Sequence, residues 1–266
     1  MTKDLLEIQR LSRYFGGVRA LEQFDLKVRE SEIRGLIGPN GAGKTTFFNV
    51  VSGFLRATQG HISFLGKDIT RLPIHRRAKL GIRRTFQNLQ LFRQMTALQN
   101  VMIGLHGGTQ AEVLDALLRS PRQRREEAWI VEQALETLCF VGLSHESDVS
   151  ASALPYGHMR LLEIARALVS KPKLLMLDEP AAGLNTTETI ALGDLIYRIN
   201  ESGVTVILVD HRMDLVMKIC ENVTVLNYGE KLAEGLPREI QNNTQVIEAY
   251  LGRNSAIVRE GTYAKN

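Results

Sequence analysis

Residues 38–46, Gly-Pro-Asn-Gly-Ala-Gly-Lys-Thr-Thr, constrain this chain more than any other stretch. They follow an apolar run containing Ile33, Leu36 and Ile37, and they precede a helical pattern whose apolar members are Phe47, Phe48, Val50 and Val51. Gly38, four further residues, then Gly43, Lys44 and Thr45 is the spacing of a phosphate-binding loop set between a strand and a helix. Glycines let successive N–H groups turn inward, Lys44 reaches the β/γ-phosphates, and the Thr45 hydroxyl would hold Mg²⁺. The helix that opens near Lys44 adds the positive end of its dipole to the same anion. Pro39, Asn40, Gly41, Ala42 and Thr46 complete the expected nucleotide cradle. The bland alternative is a glycine-rich turn, and a full match in this context makes it much the poorer reading.

A chain of 266 residues can bury a full core without cystine or metal staples, as one large α/β domain or as two lobes. No apolar run approaches the ~20 residues of a membrane helix, and the start Met-Thr-Lys-Asp carries no signal segment. Cys139 and Cys220 are the only cysteines, and both sit among apolar, helix-like neighbours. They are expected to be two core thiols in a reducing cytoplasm. The formal charge is +4, but the basic residues are scattered and no aromatic-basic interleaving occurs, so nucleic acid is a poor partner. The densest basic run, Arg119, Arg122, Arg124 and Arg125, leads into Glu126 and Glu127 and reads as a solvated helix start.

Leu5 to Leu11, Phe24 to Val28 and His61 to Leu65 alternate as strands do and predict an antiparallel flank beside the phosphate-loop strand. Tyr14 and Phe15 end the first of these, where an aromatic either closes the core or stacks on a base; chemistry alone favours the core. Arg71 to Leu80 reads as a short basic helix, and Ile82 to Asn88 as a strand with a polar exit at Gln87. Met95 to Leu105, Ala111 to Leu118 and Glu126 to Leu138 have helical periodicity, with Gly107-Gly108, Pro121 and Ser144 to Ser152 as joints. This is a helical insertion. Arg160 to Leu168 is a helix, and Leu174 to Pro180 a continuous buried strand ending in Asp178 and Glu179. Thr186 to Ile199 is a helix, Val204 to Val209 a second buried strand with His211 just beyond it, and Val223 to Ala233 a closing hairpin. The expected units are 1–88, the phosphate-loop core with its flank; 89–160, helical; 161–252, the rest of the core; and 253–266, a polar tail.

Asp178 ends its strand as a Mg²⁺-associated acid would, and Glu179 follows where it could orient a water against a γ-phosphate. His211 could meet the same phosphate, although a single such histidine is more often structural. The ordered set resembles the nucleotide-binding subunit of an ABC transporter over nearly the whole chain. Gln87 matches that family's Q-loop, Leu154-Pro155-Tyr156-Gly157-His158 its signature, Ala182-Gly183-Leu184-Asn185 its D-loop and His211 its H-loop. The resemblance implies a P-loop ATPase fold, α/β with a mostly parallel sheet, an antiparallel flank and a helical subdomain. It also implies ATP and Mg²⁺ as cofactors, Phe15 stacked on adenine with Tyr14 as a second candidate, and Gln87 joining Mg²⁺ and γ-phosphate to a transmembrane partner. Two such subunits meet head to tail, each P-loop facing the other's signature. This signature departs from Leu-Ser-Gly-Gly-Gln at Pro155, Tyr156 and His158, which puts the partner's site in question and leaves the chain's own P-loop intact.

A narrower likeness lies in residues 84–88, in 178–185 and in the ending Val246-Ile247-Glu248-Ala249-Tyr250-Leu251-Gly252. These look like the LivG-type ATPases of bacterial branched-chain amino acid uptake, with urea or amide importers sharing much of the pattern. That resemblance implies a peripheral subunit on the cytoplasmic face of the inner membrane. Its partners would be membrane permeases, a second ATPase subunit and, indirectly, a periplasmic binding protein. A soluble ABC-type ATPase is the alternative; such proteins usually carry two cassettes or a long coiled coil, and this chain has one P-loop and no sustained heptads.

Overall fold

A computed structural model describes residues 3–105 and 121–251. The helix expected at Ala111 to Leu118, the Gly107-Gly108 joint, Arg119 and the tail 253–266 lie outside the described residues, as do the side chains of Arg122 and Arg124.

Two sheets carry the fold. Strands β1 (Asp4–Phe15), β2 (Val18–Arg29), β4 (Gln59–Phe64) and β5 (Lys67–Asp68) pair antiparallel in the order β2-β1-β4-β5. The second sheet has the order β10-β9-β3-β8-β7-β6. Its strands are β3 (Ile33–Ile37), β6 (Ile82–Arg84), β7 (Leu174–Asp178), β8 (Thr205–Val209), β9 (Asn222–Asn227) and β10 (Glu230–Gly235). All its neighbours run parallel except the β9–β10 hairpin.

The central strands β3, β7 and β8 are apolar on both faces because both faces are covered. Leu36, Leu174, Met176 and Ile207 turn towards the antiparallel sheet, while Ile37, Leu175, Leu177, Val206 and Leu208 turn towards the helices. The helix after the phosphate loop, α1 (Lys44–Ser52), wedges between the two sheets on Phe47, Phe48, Val50 and Val51. Its far end is fixed by Arg77, 2% exposed, from α2 (Ile74–Lys79). The Arg77 guanidinium donates to the carbonyls of Val50 at 2.7 Å and Val51 at 2.8 Å, which are among the last acceptors of α1. Burial lowers the Arg77 pKa to about 10, so it remains a cation at the negative pole of that helix.

Between β6 and β7 the described elements are helical apart from one isolated Thr96–Ser150 bridge. Helices α3 (Ala97–Ile103), α4 (Pro121–Val141) and α5 (Tyr156–Leu168) share one apolar core. On α4 the buried positions Ile130, Ala134, Leu138 and Val141 fall on one helical stripe. Cys139 sits beside that stripe and is exposed, contrary to the expectation of two core thiols; only Cys220 is buried. The strand expected over Leu174 to Pro180 stops at Asp178, and the helix expected from Arg160 begins four residues earlier, at Tyr156.

Candidate nucleotide site

Parallel strands deliver their C-terminal ends to one edge of the sheet, which is where ligands of open α/β folds bind. β3 runs into the phosphate loop, β6 into Thr85-Phe86-Gln87, β7 into Glu179 and β8 into Asp210-His211. The β7–β8 register pairs Asp178 with Val209, so the loops bearing Glu179 and His211 leave the sheet side by side.

The phosphate loop needs glycine where it has glycine. Gly43, at φ 109°, packs so closely that a Cβ would lie 2.4 Å from the Ala20 carbonyl; at Gly38, φ 155°, it would lie 2.1 Å from that of Leu226. Gly43 is the N-cap of α1 and no side chain caps that end, so the first-turn N–H groups are left for an anion. Lys44, 7% exposed, donates from Nζ to the carbonyls of Gly38 (2.6 Å) and Pro39 (3.0 Å). Burial lowers its pKa, and Glu179 and Asp178 oppose that shift. A cavity of about 580 Å³ opens over this loop, bounded by residues 40–46, by Val18 to Ala20 and by Gln87, Glu179 and Tyr228. Thr45 and Thr46 are thus on its wall.

Glu179 is held from two sides: Gln87 Nε2 donates to its Oε2 at 2.9 Å, and His211 Nε2 meets its Oε1 at 3.1 Å. The backbone at Glu179 is left-handed, φ 49°, and its N–H is fixed by the Val209 carbonyl at 2.7 Å. A non-glycine residue in this region stores of order 1–3 kcal/mol of strain and tends to occur where a side chain must be aimed. Asp210 is a residue the sequence reading missed. It is 4% exposed, accepts from Ala181 N (2.9 Å) and Arg212 N (2.8 Å), and so ties the loop after Glu179 to the loop bearing His211. Burial raises its pKa, against those two bonds.

Asp178 is 5% exposed; burial raises its pKa, with Arg84 the main opposing charge. Phe15 ends β1 with 42% of its surface exposed and one ring face under the Arg13 guanidinium, 4.5 Å away. It does not line the cavity wall described above. Tyr14 is less available, because its hydroxyl donates to Glu22 at 3.0 Å.

The Leu154 to His158 segment forms a separate surface. Leu154 is buried, Pro155 is the N-cap of α5, and Gly157 lies within van der Waals reach of Glu188. His158 Nδ1 faces Glu146 Oε1 at 3.0 Å. The Tyr156 hydroxyl accepts from Arg160 Nη2 at 2.9 Å, and the same guanidinium donates to the carbonyls of Phe86 (3.1 Å) and Gln87 (2.6 Å). Asn185 caps α6 (Thr186–Glu201) through a reciprocal box with Glu188, in which its Oδ1 accepts from Glu188 N and its own N–H donates to Glu188 Oε2. Arg160, like Asp210, was invisible to spacing arguments, since the bonds that tie separate loops together, to the carbonyls of Phe86 and Gln87 and from Ala181 N, reach far along the sequence.

A strand–P-loop–helix cradle with a carboxylate and a histidine from the two neighbouring parallel strands defines a P-loop nucleotide triphosphatase. The family model described as "ABC transporter" matches residues 21–182, and that of the "Branched-chain amino acid ATP-binding cassette transporter" matches 230–256. The chain is 45% identical over 253 residues to the high-affinity branched-chain amino acid transport ATP-binding protein BraF of Pseudomonas aeruginosa, covering 95% of this chain and 99% of the relative. It is 42% identical over 253 residues to LivG of Escherichia coli K12, with the same coverage. Among solved structures it is similar to a nucleotide-free ATP-binding cassette from an ABC transporter, with TM-score 0.82, 33% identity and coverage of 94% and 100%. It is equally similar to a cassette in its ADP conformation, with TM-score 0.82, 33% identity and coverage of 95% and 100%. The chain belongs to the ABC transporter ATPases, within the branched-chain amino acid transport ATP-binding proteins. It is an ATPase coupled to transport.

Proposed function

We propose that this chain binds ATP over residues 38–46 and cleaves its γ-phosphate with Glu179 orienting the water and His211 beside it. The cycle of closure and opening would drive import of branched-chain amino acids. The observation that carries this reading is Glu179, fixed between Gln87 and His211 on the wall of the Lys44 cavity. Lys44 supplies the charge nearest the β/γ-phosphates, and the free N–H groups of α1 receive the same anion. Phe15 offers its uncovered ring face to the base.

The donor set fits Mg²⁺: the Thr45 hydroxyl, the Gln87 side-chain Oε1 and the Asp178 carboxylate are hard oxygens, and Gln87 spends only its Nε2 on Glu179. Among the described residues no three His, Cys, Asp or Glu side chains form a cage, which suits an ion shared with phosphate oxygens. When bound, Mg²⁺ would neutralise phosphate charge.

Membrane permeases would receive the chain on the cytoplasmic face of the inner membrane, beside a second ATPase subunit, with a periplasmic binding protein delivering substrate. Among the described residues no helix is long and apolar enough to cross a membrane. The test is reconstitution of the chain with its permeases, second ATPase and binding protein in liposomes. ATP-dependent uptake of leucine, isoleucine or valine, lost in Glu179→Gln, is expected. Uptake of urea or an amide in its place, or no dependence on ATP, would refute the substrate or the role.

A further inference from the structure

Arg84, the last residue of β6, is engaged by polar partners on α1 and β7 and by aromatic rings, and none of these contacts is accounted for by nucleotide binding. Its side chain is 6% exposed. Nη2 donates to Asp178 Oδ2 at 3.0 Å, and Nη1 donates to Asn49 Oδ1 at 2.7 Å and Ser52 Oγ at 3.2 Å. The guanidinium also lies 4.6 Å from the Phe86 ring centroid and 5.5 Å from that of Phe54. A planar fork bound at both ends and flanked by rings cannot swing, and a lysine in its place could not reach all three acceptors.

We propose that Arg84 is the positioning residue for Asp178: it holds Oδ2 and thereby presents Oδ1 to the cofactor side of the site. Three observations support this. Among the described residues the hydrogen bond to the Asp178 carboxylate falls on Oδ2, from Arg84, and none falls on Oδ1. Asn49 and Ser52 lie in the second half of α1, away from Lys44, so the same fork ties the far half of that helix to the strand that ends in Asp178. Phe86, packed on the guanidinium, directly precedes Gln87, and its ring meets the half-exposed Phe54 edge-on at 5.6 Å. One side chain therefore spans the phosphate-loop helix, the acid and the approach to Gln87.

This inference rests on the reading of Asp178 as the Mg²⁺-associated acid, and the experiment separates the two. A fluorescent N-methylanthraniloyl-ATP is titrated into the full chain in EDTA and again in Mg²⁺, with the melting temperature recorded in both. In Arg84→Met the affinity in EDTA should stay near native, while the gain conferred by Mg²⁺ falls at least about tenfold, the size of one lost charge-assisted contact. Arg84→Lys, which keeps the charge and spares the fold, should recover only part of that gain. A folded Arg84→Met that keeps the native Mg²⁺ gain, while Asp178→Asn loses it, overturns the proposal alone. If Asp178→Asn also keeps it, the metal reading itself falls. Should Arg84→Met fail to fold, a native gain in Arg84→Lys overturns the proposal. An equal loss of affinity with and without Mg²⁺ would reveal a merely structural arginine and overturn it too.

Discussion

Tyr156 and Gly183 are in ring-to-backbone contact: a Cβ built on the glycine would lie 2.7 Å from Tyr156 Cε1. The tyrosine stands where a glycine is usual in the signature, and its bulk is accommodated by the D-loop glycine on one side and Arg160 on the other. The start of α5 and the turn before α6 are thus fitted to each other. Gly183→Ala should cost about 1–3 kcal/mol by overpacking, besides the strain of a left-handed alanine at φ 80°. Thermal melting should show a loss of several degrees. Tyr156→Ala in the same chain should restore the overpacking part and leave the strain. A Gly183→Ala protein that melts as the native one does would show that the turn yields without cost.

On the proposed function, Glu179→Gln would keep the phosphate cradle and remove the carboxylate proposed to orient the water. Nucleotide binding should persist and turnover in the assembled transporter fall by at least ~10²-fold. Steady-state phosphate release measures this, and near-native release would remove Glu179 from the role. A control follows from geometry: the substitution leaves the backbone at φ 49°, so a large change in melting temperature is not expected.

On the proposed function, Lys44→Ala should abolish tight ATP binding, since the buried ammonium would be the cation nearest the β/γ-phosphates and charge-assisted bonds are the strong ones. Removing it also frees the carbonyls of Gly38 and Pro39, which it now holds, so the loop loses an anchor as well as a charge. An unchanged nucleotide titration would contradict both.

The two thiols should differ sharply. Cys220 is buried and desolvation pushes its pKa up, so thiolate is scarce at neutral pH; Cys139 lies open on α4. A chromogenic disulfide reagent should titrate one thiol in the native chain and two after denaturation. Two fast thiols in the native protein would mean that the packing around Cys220 opens readily.

What the sequence made legible was what backbone rules dictate. Gly43 and Gly38 stand where no Cβ fits, and the all-apolar strand before Asp178 is buried on both faces, so spacing alone located the glycine loop between β3 and α1 and the buried strand that ends in Asp178. Gln87 and His211 were legible by resemblance; that both grip Glu179 was not, because the grip depends on the pairing of β6 with β7 and of β7 with β8. Arg84, Arg160 and Asp210 were missed for the same reason: their partners are brought together only by the folded sheet and helices. Cys139 was misplaced because an apolar neighbourhood in sequence, Leu138 to Val141, becomes two faces on a helix.

Pro155 poses the remaining question, whether this chain completes its partner's site. Proline is the N-cap of α5, at φ −56° and ψ 152°, and no side chain caps the helix. The Met159 N–H already bonds the Pro155 carbonyl, so the amides of Tyr156, Gly157 and His158 remain for an anion. With α5 thirteen residues long, its dipole is well developed at that end. A serine would bring one hydroxyl, worth roughly 1.5 to 3 kcal/mol if given wholly to a charged phosphate. At an N-cap, however, that oxygen is also drawn to the amides of its own helix, where capping is worth about 1 kcal/mol, and the two uses compete. Most of the field comes from backbone groups that proline leaves in place. Pro155→Ser should therefore change transporter ATPase activity by less than about tenfold. A hundredfold rise would mean that the native signature is crippled, and that only the P-loop of this chain fires in an asymmetric transporter.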